Sequence, residues 1–193
     1  MFFNRDVPKE ISKVKLSKWY KTLDDRDKTR ISRYLNGIDD SSKDAFVIDI
    51  MRKANAEENH PVSVKVGDFA VSENFGDKMM FDITNEYIDA LFGSKDYDKA
   101  KEFCLKNLDL VPKIYSELLD ENGEMLKNLP CRNRMIDILV GIDLNYEEAE
   151  GMLQRFNEMK ILSDDELEYR KQSLKIHRLQ RTFDSVYSYK FTE

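Results

Sequence analysis

The spacing Tyr97, Ala100, Cys104, Asn107/Leu108 recurs forty-nine residues on as Tyr146, Ala149, Leu153, Phe156. Offsets of three and four residues put each set on one stripe of a helix, whereas a strand would scatter them over both faces. The alanine is small enough for the preceding helix to approach to the roughly 8–10 Å of close helix contact. Each stripe is led by Asp96 or Asn145, residue types that can cap a first turn, with the tyrosine packed at the helix mouth. A chain carrying two such helices has to stack other helices on them. Seven Gly and four Pro are too few for a fold of short strands and tight turns, so the first expectation is an all-α protein.

The rest of the chain reads the same way. Residues 8–23 place Ile11, Val14, Trp19 and Leu23 at helical spacing behind Pro8, and 24–37 opens on Asp24 and Asp25 and stops at Gly37. Residues 41–55 follow, with Ser41 as a candidate cap. Residues 61–75 begin with Val62, Val64 and Val66 in alternation, a strand signal. Pro61 can open a helix, however, and no second convincing strand exists to take this one's hydrogen bonds, so helix is expected. Further helices are expected over 78–93, 96–110, 112–129 (broken near Gly123), 131–143, 145–162 and 163–183. The last of these opens on Ser163 and Glu166 at capping-box spacing. Val186, Tyr187, Tyr189 and Phe191 make the tail after it apolar enough to pack on a neighbouring helix.

With Ala100 at the small position and Pro112 at the terminal one, residues 81–114 resemble the 34-residue helix–turn–helix unit of tetratricopeptide repeats. Cys104 departs from the large residue usual there, and Tyr87, Ile88 and Leu91 depart in the first helix. Residues 130–163 resemble the unit through "NYEEAEGML", with Ile161 in place of the proline, and 45–78 carry a fainter copy with Val64 at the small position. Fifteen extra residues, 115–129, separate the two better copies. The resemblance implies an irregular α-α superhelix of helical hairpins, about ten helices in all, whose concave groove takes a peptide or protein partner. Three segments are expected: an N-terminal helical pair over 1–40 that buries Trp19 as a cap, hairpins over 41–163, and a basic capping helix with an aromatic tail over 164–193.

At 193 residues the chain is long enough to bury about 70% of its unfolded surface. The start "MFFNRDVPKE" leaves no room for a signal-peptide core, and the apolar run "ILVGI" is far short of the roughly 20 residues that span a bilayer. Cys104 and Cys131 have no paired spacing and read as buried small apolar residues, which suits a reducing compartment. The expected location is cytoplasmic. The net charge of −6 is unevenly spread. Ten Lys and Arg stand against five Asp and Glu over 1–33, six against two over 170–193, and fifteen against thirty between them. Either the basic ends fold back on the acidic middle, or one of them meets a polyanion.

No Gly-rich phosphate loop and no Cys/His cluster is present, so neither a cofactor nor a metal is expected. His60, beside Pro61, reads as a surface turn residue, and His177 as a solvent-facing one. The acidic pairs Asp24-Asp25, Asp39-Asp40, Asp164-Asp165 and Glu147-Glu148 each precede or open a helix, where they offset the dipole without any catalytic role. The expected function is accordingly non-enzymatic, a protein–protein interaction scaffold. By the resemblance, its groove is lined by Asp82, Asn85 and Asp89 on the free face of their helix, together with Arg134. The competing expectation is a nucleic-acid-associated protein in which Lys171, Lys175, Arg178 and Arg181 meet phosphates along with the basic N-terminus. Stacked hairpins that leave an apolar end also allow a homodimer.

Overall fold

Eleven α-helices and one 3-10 turn follow one another through this computed structural model, which describes residues 7–125 and 129–188, the last four by backbone alone. They are α1 Lys9–Lys13, α2 Ser17–Thr22, α3 Asp25–Ser32, α4 Lys43–Ala56, α5 His60–Ala70, α6 Asp77–Gly93, α7 Tyr97–Leu108, α8 Val111–Ile114, the turn Tyr115–Leu118, α9 Pro130–Gly141, α10 Tyr146–Glu158 and α11 Asp164–Ser188. The protein is all-α. Among the described residues the sole β feature is an isolated bridge between Leu119 and Met125.

Short polar side chains start several helices by satisfying first-turn N–H groups. Asp24 accepts from Asp27 N at 2.7 Å, Asn145 from Glu148 N at 3.2 Å, and Ser163 from Glu166 N at 3.2 Å. Ahead of α4 the cap is Ser42 rather than Ser41, accepting from Ala45 N at 3.1 Å. Asp96 makes no side-chain cap, unlike its counterpart Asn145. The valine alternation is helical: Val62 and Val66, four apart, are buried together on one face of α5, and Val64 sits at its edge.

Three expectations are corrected. Residues 8–23 are two short helices, because Ile11, Val14, Leu16 and Tyr20 are all buried and the two-residue step from 14 to 16 cannot stay on one helical stripe. Lys15, at φ +62°, resets the phase. Trp19 is consequently half-buried, its ring stacked on Phe69 at 4.8 Å, while Tyr20 takes the core position. Among the described residues of 112–129, helical structure ends at Leu118, beyond which Asp120 Oδ1 accepts from Asn122 N and Glu124 N to fold a tight turn around Gly123. At the C-terminus α11 runs on to Ser188, past the expected end at 183. The side chains of Val186 and Tyr187, and Tyr189 and Phe191 altogether, lie outside the described residues.

The chain forms two compact units, up to Lys113 and from Ile114 on. In the first, α5 packs on α4 and α6, α4 also packs on α6, and α7 closes on α6. Phe46, Ile50, Val66, Phe81, Tyr87, Leu91, Ala100 and Cys104 fill its core. In the second, α10 packs on both α9 and α11 through Ile138, Leu139, Ala149, Leu153 and Phe156. Ala100 and Ala149, the small residues of the two stripes, are fully buried, and both cysteines are buried and outside any disulfide. No helix among the described residues is long and apolar enough to cross a membrane.

Candidate functional site

In the second unit α10 lies against α9 on one side and α11 on the other, leaving a groove along their flank. Leu153, one of the stripe residues of α10, forms its floor. Ile136 and Val140, four apart on the half-exposed side of α9, line one wall; Tyr169 and Leu174 of α11 line the other. The groove has a volume of about 650 Å³ and is predominantly apolar, with charge confined to its rim. Its dimensions suit the apolar side chains of an inserted segment better than a hydrated polar ligand.

The rim is held by ion pairs. Arg170 donates to Glu166 Oε1 through Nε at 2.9 Å and through a terminal nitrogen at 2.7 Å. Behind them Arg132, buried in α9, donates to the Ile161 carbonyl and stands 3.8 Å from Glu166. Burial pushes the Arg132 pKa down, with the Glu166 carboxylate acting in the opposite sense. On the α9 side Asp137 pairs with Arg134 at 3.2 Å. Ser173 and His177 also line the groove, but the serine hydroxyl donates to the Tyr169 carbonyl at 3.0 Å and His177 Nδ1 pairs with the Tyr146 hydroxyl at 2.9 Å. The two side chains are thus bonded to other groups and not to each other. No group of three or more His, Cys, Asp and Glu among the described residues is arranged to hold a metal ion.

Asp82, Asn85 and Asp89 do share one face of α6, as their spacing predicts. Asn85 on that face is only 8% exposed, however, and Asp82 and Asp89 are half-buried. Asp82 accepts from Lys78 one turn earlier at 2.6 Å. Glu86, on the same face and not singled out by its sequence, accepts from Arg52 at 3.0 Å and from Asn55 at 3.1 Å, clipping α6 to α4. Arg134 belongs to the other unit and flanks the α9–α11 groove through Asp137. Of the basic residues on α11, Lys175, Arg178 and Arg181 are exposed, whereas Lys171 is half-buried and donates to Gln154 at 3.2 Å. Arg178 and Arg181 line a second recess of about 400 Å³ beside Asn145, Tyr146 and Glu147.

A further cluster was invisible in sequence. The Tyr87 hydroxyl donates to Asp68 Oδ1, the same oxygen takes a bond from Lys99 Nζ at 2.8 Å, and the ammonium sits 5.3 Å from the Tyr87 ring centre. These residues come from α5, α6 and α7, so the cluster ties three helices at one point. Gly67 makes it possible, because a Cβ there would run into the Tyr87 ring. Burial, followed by the bond to Asp68, pushes the Tyr87 pKa up to about 12, and hydrogen bonds to Asp68 and Tyr87 raise that of Lys99. His60 is likewise corrected: it opens α5, is half-buried, and its ring fills the space beside Gly93 at the end of α6.

No protein-family model matches this chain, and no curated protein or solved structure is significantly similar to it.

Proposed function

We propose that the protein is a non-enzymatic interaction module, of the helical-hairpin kind that tetratricopeptide arrays exemplify, and that its partner is a protein or peptide segment seated in a helical groove. The observation carrying this reading is the α9–α11 groove, with its Leu153 floor, its Ile136, Val140, Tyr169 and Leu174 walls and its charged rim. An amphipathic helix laid into such a groove would place apolar residues at three-to-four spacing on the floor and meet Asp137, Glu166 and Arg170 with its polar flanks. Consecutive helix pairs at α4–α5, α6–α7 and α9–α10, where the three repeat-like segments fall, support the hairpin comparison. A cytoplasmic location is part of the same reading.

The test is a capture experiment with three baits: wild type, Val140→Glu and Asn85→Ala/Asp89→Lys. The groove reading expects specific partners to be retained by wild type and by the α6 variant and lost, by tenfold or more in affinity, by Val140→Glu. Partners lost by the α6 variant instead move the site to Asp82, Asn85 and Asp89. Salt-dependent binding to duplex DNA or RNA that disappears in Lys175→Glu/Arg178→Glu, with no protein partner captured, overturns the reading in favour of nucleic acid.

A further inference from the structure

α11 is 25 residues long, about 38 Å at the helical rise. Leu167 and Leu174 turn towards the body of the second unit, where α11 meets α10. The opposite side carries Tyr169, Ile176, Leu179 and Phe183, which are 57–70% exposed. Their intervals of seven, three and four residues are those of alternate seam positions in a coiled coil, with Gln172 filling the one vacancy in the pattern. An apolar stripe of this length in water is unusual for a monomer.

We propose that this face pairs with the same face of a second copy of the chain, antiparallel, so that the protein is a homodimer joined along α11. Area favours a second copy: four large side chains at this exposure present on the order of 500 Å² per protomer, so two protomers bury about 1,000 Å² from these side chains alone, the threshold of a specific interface. An isologous contact across a two-fold axis needs a self-complementary surface, and a straight apolar stripe meets that condition. Charge decides the rest. Arg170 and Lys171 are engaged with Glu166 and Gln154, and Arg178 and Arg181 line the recess beside α10, all off the seam. Among the described residues Lys175 is the one cation flanking it, so a polyanion would find little on this face. A parallel pair would bring together Asp164, Asp165, Glu166 and Glu168 of both copies and align two helix dipoles in the same sense. The antiparallel pair separates them, and it sets Ile176 of each copy against Leu179 of the other.

The seam shares Tyr169 with the groove but leaves Ile136, Val140 and Leu174 untouched, and Ile176 and Leu179 lie outside the groove, so substitutions at those two read the dimer separately from groove binding. Light scattering coupled to size exclusion should give twice the monomer mass for wild type and the monomer mass for Ile176→Glu/Leu179→Glu. Both substituted side chains are exposed, so unchanged far-ultraviolet dichroism is expected of the variant. A wild type that stays monomeric at every concentration reached, or a dimer that survives the double substitution, overturns the proposal. Orientation is read from a spin label on Glu168→Cys, selective because Cys104 and Cys131 are both buried. The expected separation is about 30 Å for antiparallel helices, against about 10 Å for parallel ones, which would refute the seam as drawn.

Discussion

Single side chains in this protein act by what they exclude as much as by what they touch. Gly67 is kept bare so that the Tyr87 ring can lie against α5, and the ring then delivers its hydroxyl to Asp68, where Lys99 already binds. The phenol is shielded from water and bonded to a carboxylate, both of which disfavour phenolate. In the folded protein it keeps its proton to about pH 12, whereas an unfolded chain releases it near 10. The folded state therefore binds more protons across that window, and stability must fall as pH rises through it. The buried phenol accounts for roughly 3 kcal/mol of that fall, present in full below pH 10 and lost by about pH 12. Denaturant titrations of wild type and Tyr87→Phe across this range read the effect of the phenol together with its bond to Lys99, since ionisation of the other tyrosines is common to both. The stability gap between the two should narrow as pH climbs. A constant gap would mean that the phenol is not held neutral by its surroundings.

At the scale of elements, helix starts were legible and helix stops were not. Asp24, Asn145 and Ser163 cap the helices their positions announce. The stops rely on residues in the left-handed conformation that are not glycine: Glu58, Lys95 and Lys160 at φ +55°, +63° and +59°. Behind each, the next amide reaches back five residues, Asn59 N to Ala54 O, Asp96 N to Leu91 O and Ile161 N to Phe156 O, at 2.8–3.0 Å. This is the Schellman closure, in which glycine is usual because a Cβ is strained there. A lysine in that place gives no sign in the sequence. Lys15 works in the same way inside 8–23, which explains why one expected helix became two. Lys95→Gly should relieve that strain and raise stability by roughly 0.5–1 kcal/mol, measured as an upward shift in Tm. An unchanged or lowered Tm would show that Lys95 holds its conformation without strain. The candidate site was legible only in outline for a related reason. Periodicity marks which stripe of a helix is apolar, but not which neighbour covers it. Thus Asn85 was expected in a groove and is nearly covered, whereas Ile136 and Val140, unremarkable in sequence, form a wall of one.

For the molecule as a whole, the consequential feature is two cores in one chain. Phe46, Phe81 and Tyr87 centre the unit that ends at Lys113, while Ile138, Leu153 and Phe156 centre the one that begins at Ile114. The repeated Tyr-Ala stripe contributes one helix to each, so a similar local pattern is used twice without the two copies sharing a core. Each core rests on its own buried aromatics, and a cavity made in one removes contacts within that core. Phe156→Ala, at a fully buried site, should cost about 3–5 kcal/mol in the second unit. Native-state hydrogen exchange then distinguishes the cores. Amides of α9, α10 and the first turns of α11 should lose protection, while those of α4–α7 keep theirs. Because Phe156 lies in neither the groove walls nor the outward stripe of α11, the loss reports on the core itself and not on a vacated interface. If protection falls equally in α4–α7, the two cores unfold as one cooperative body, and the division after Lys113 has no energetic meaning.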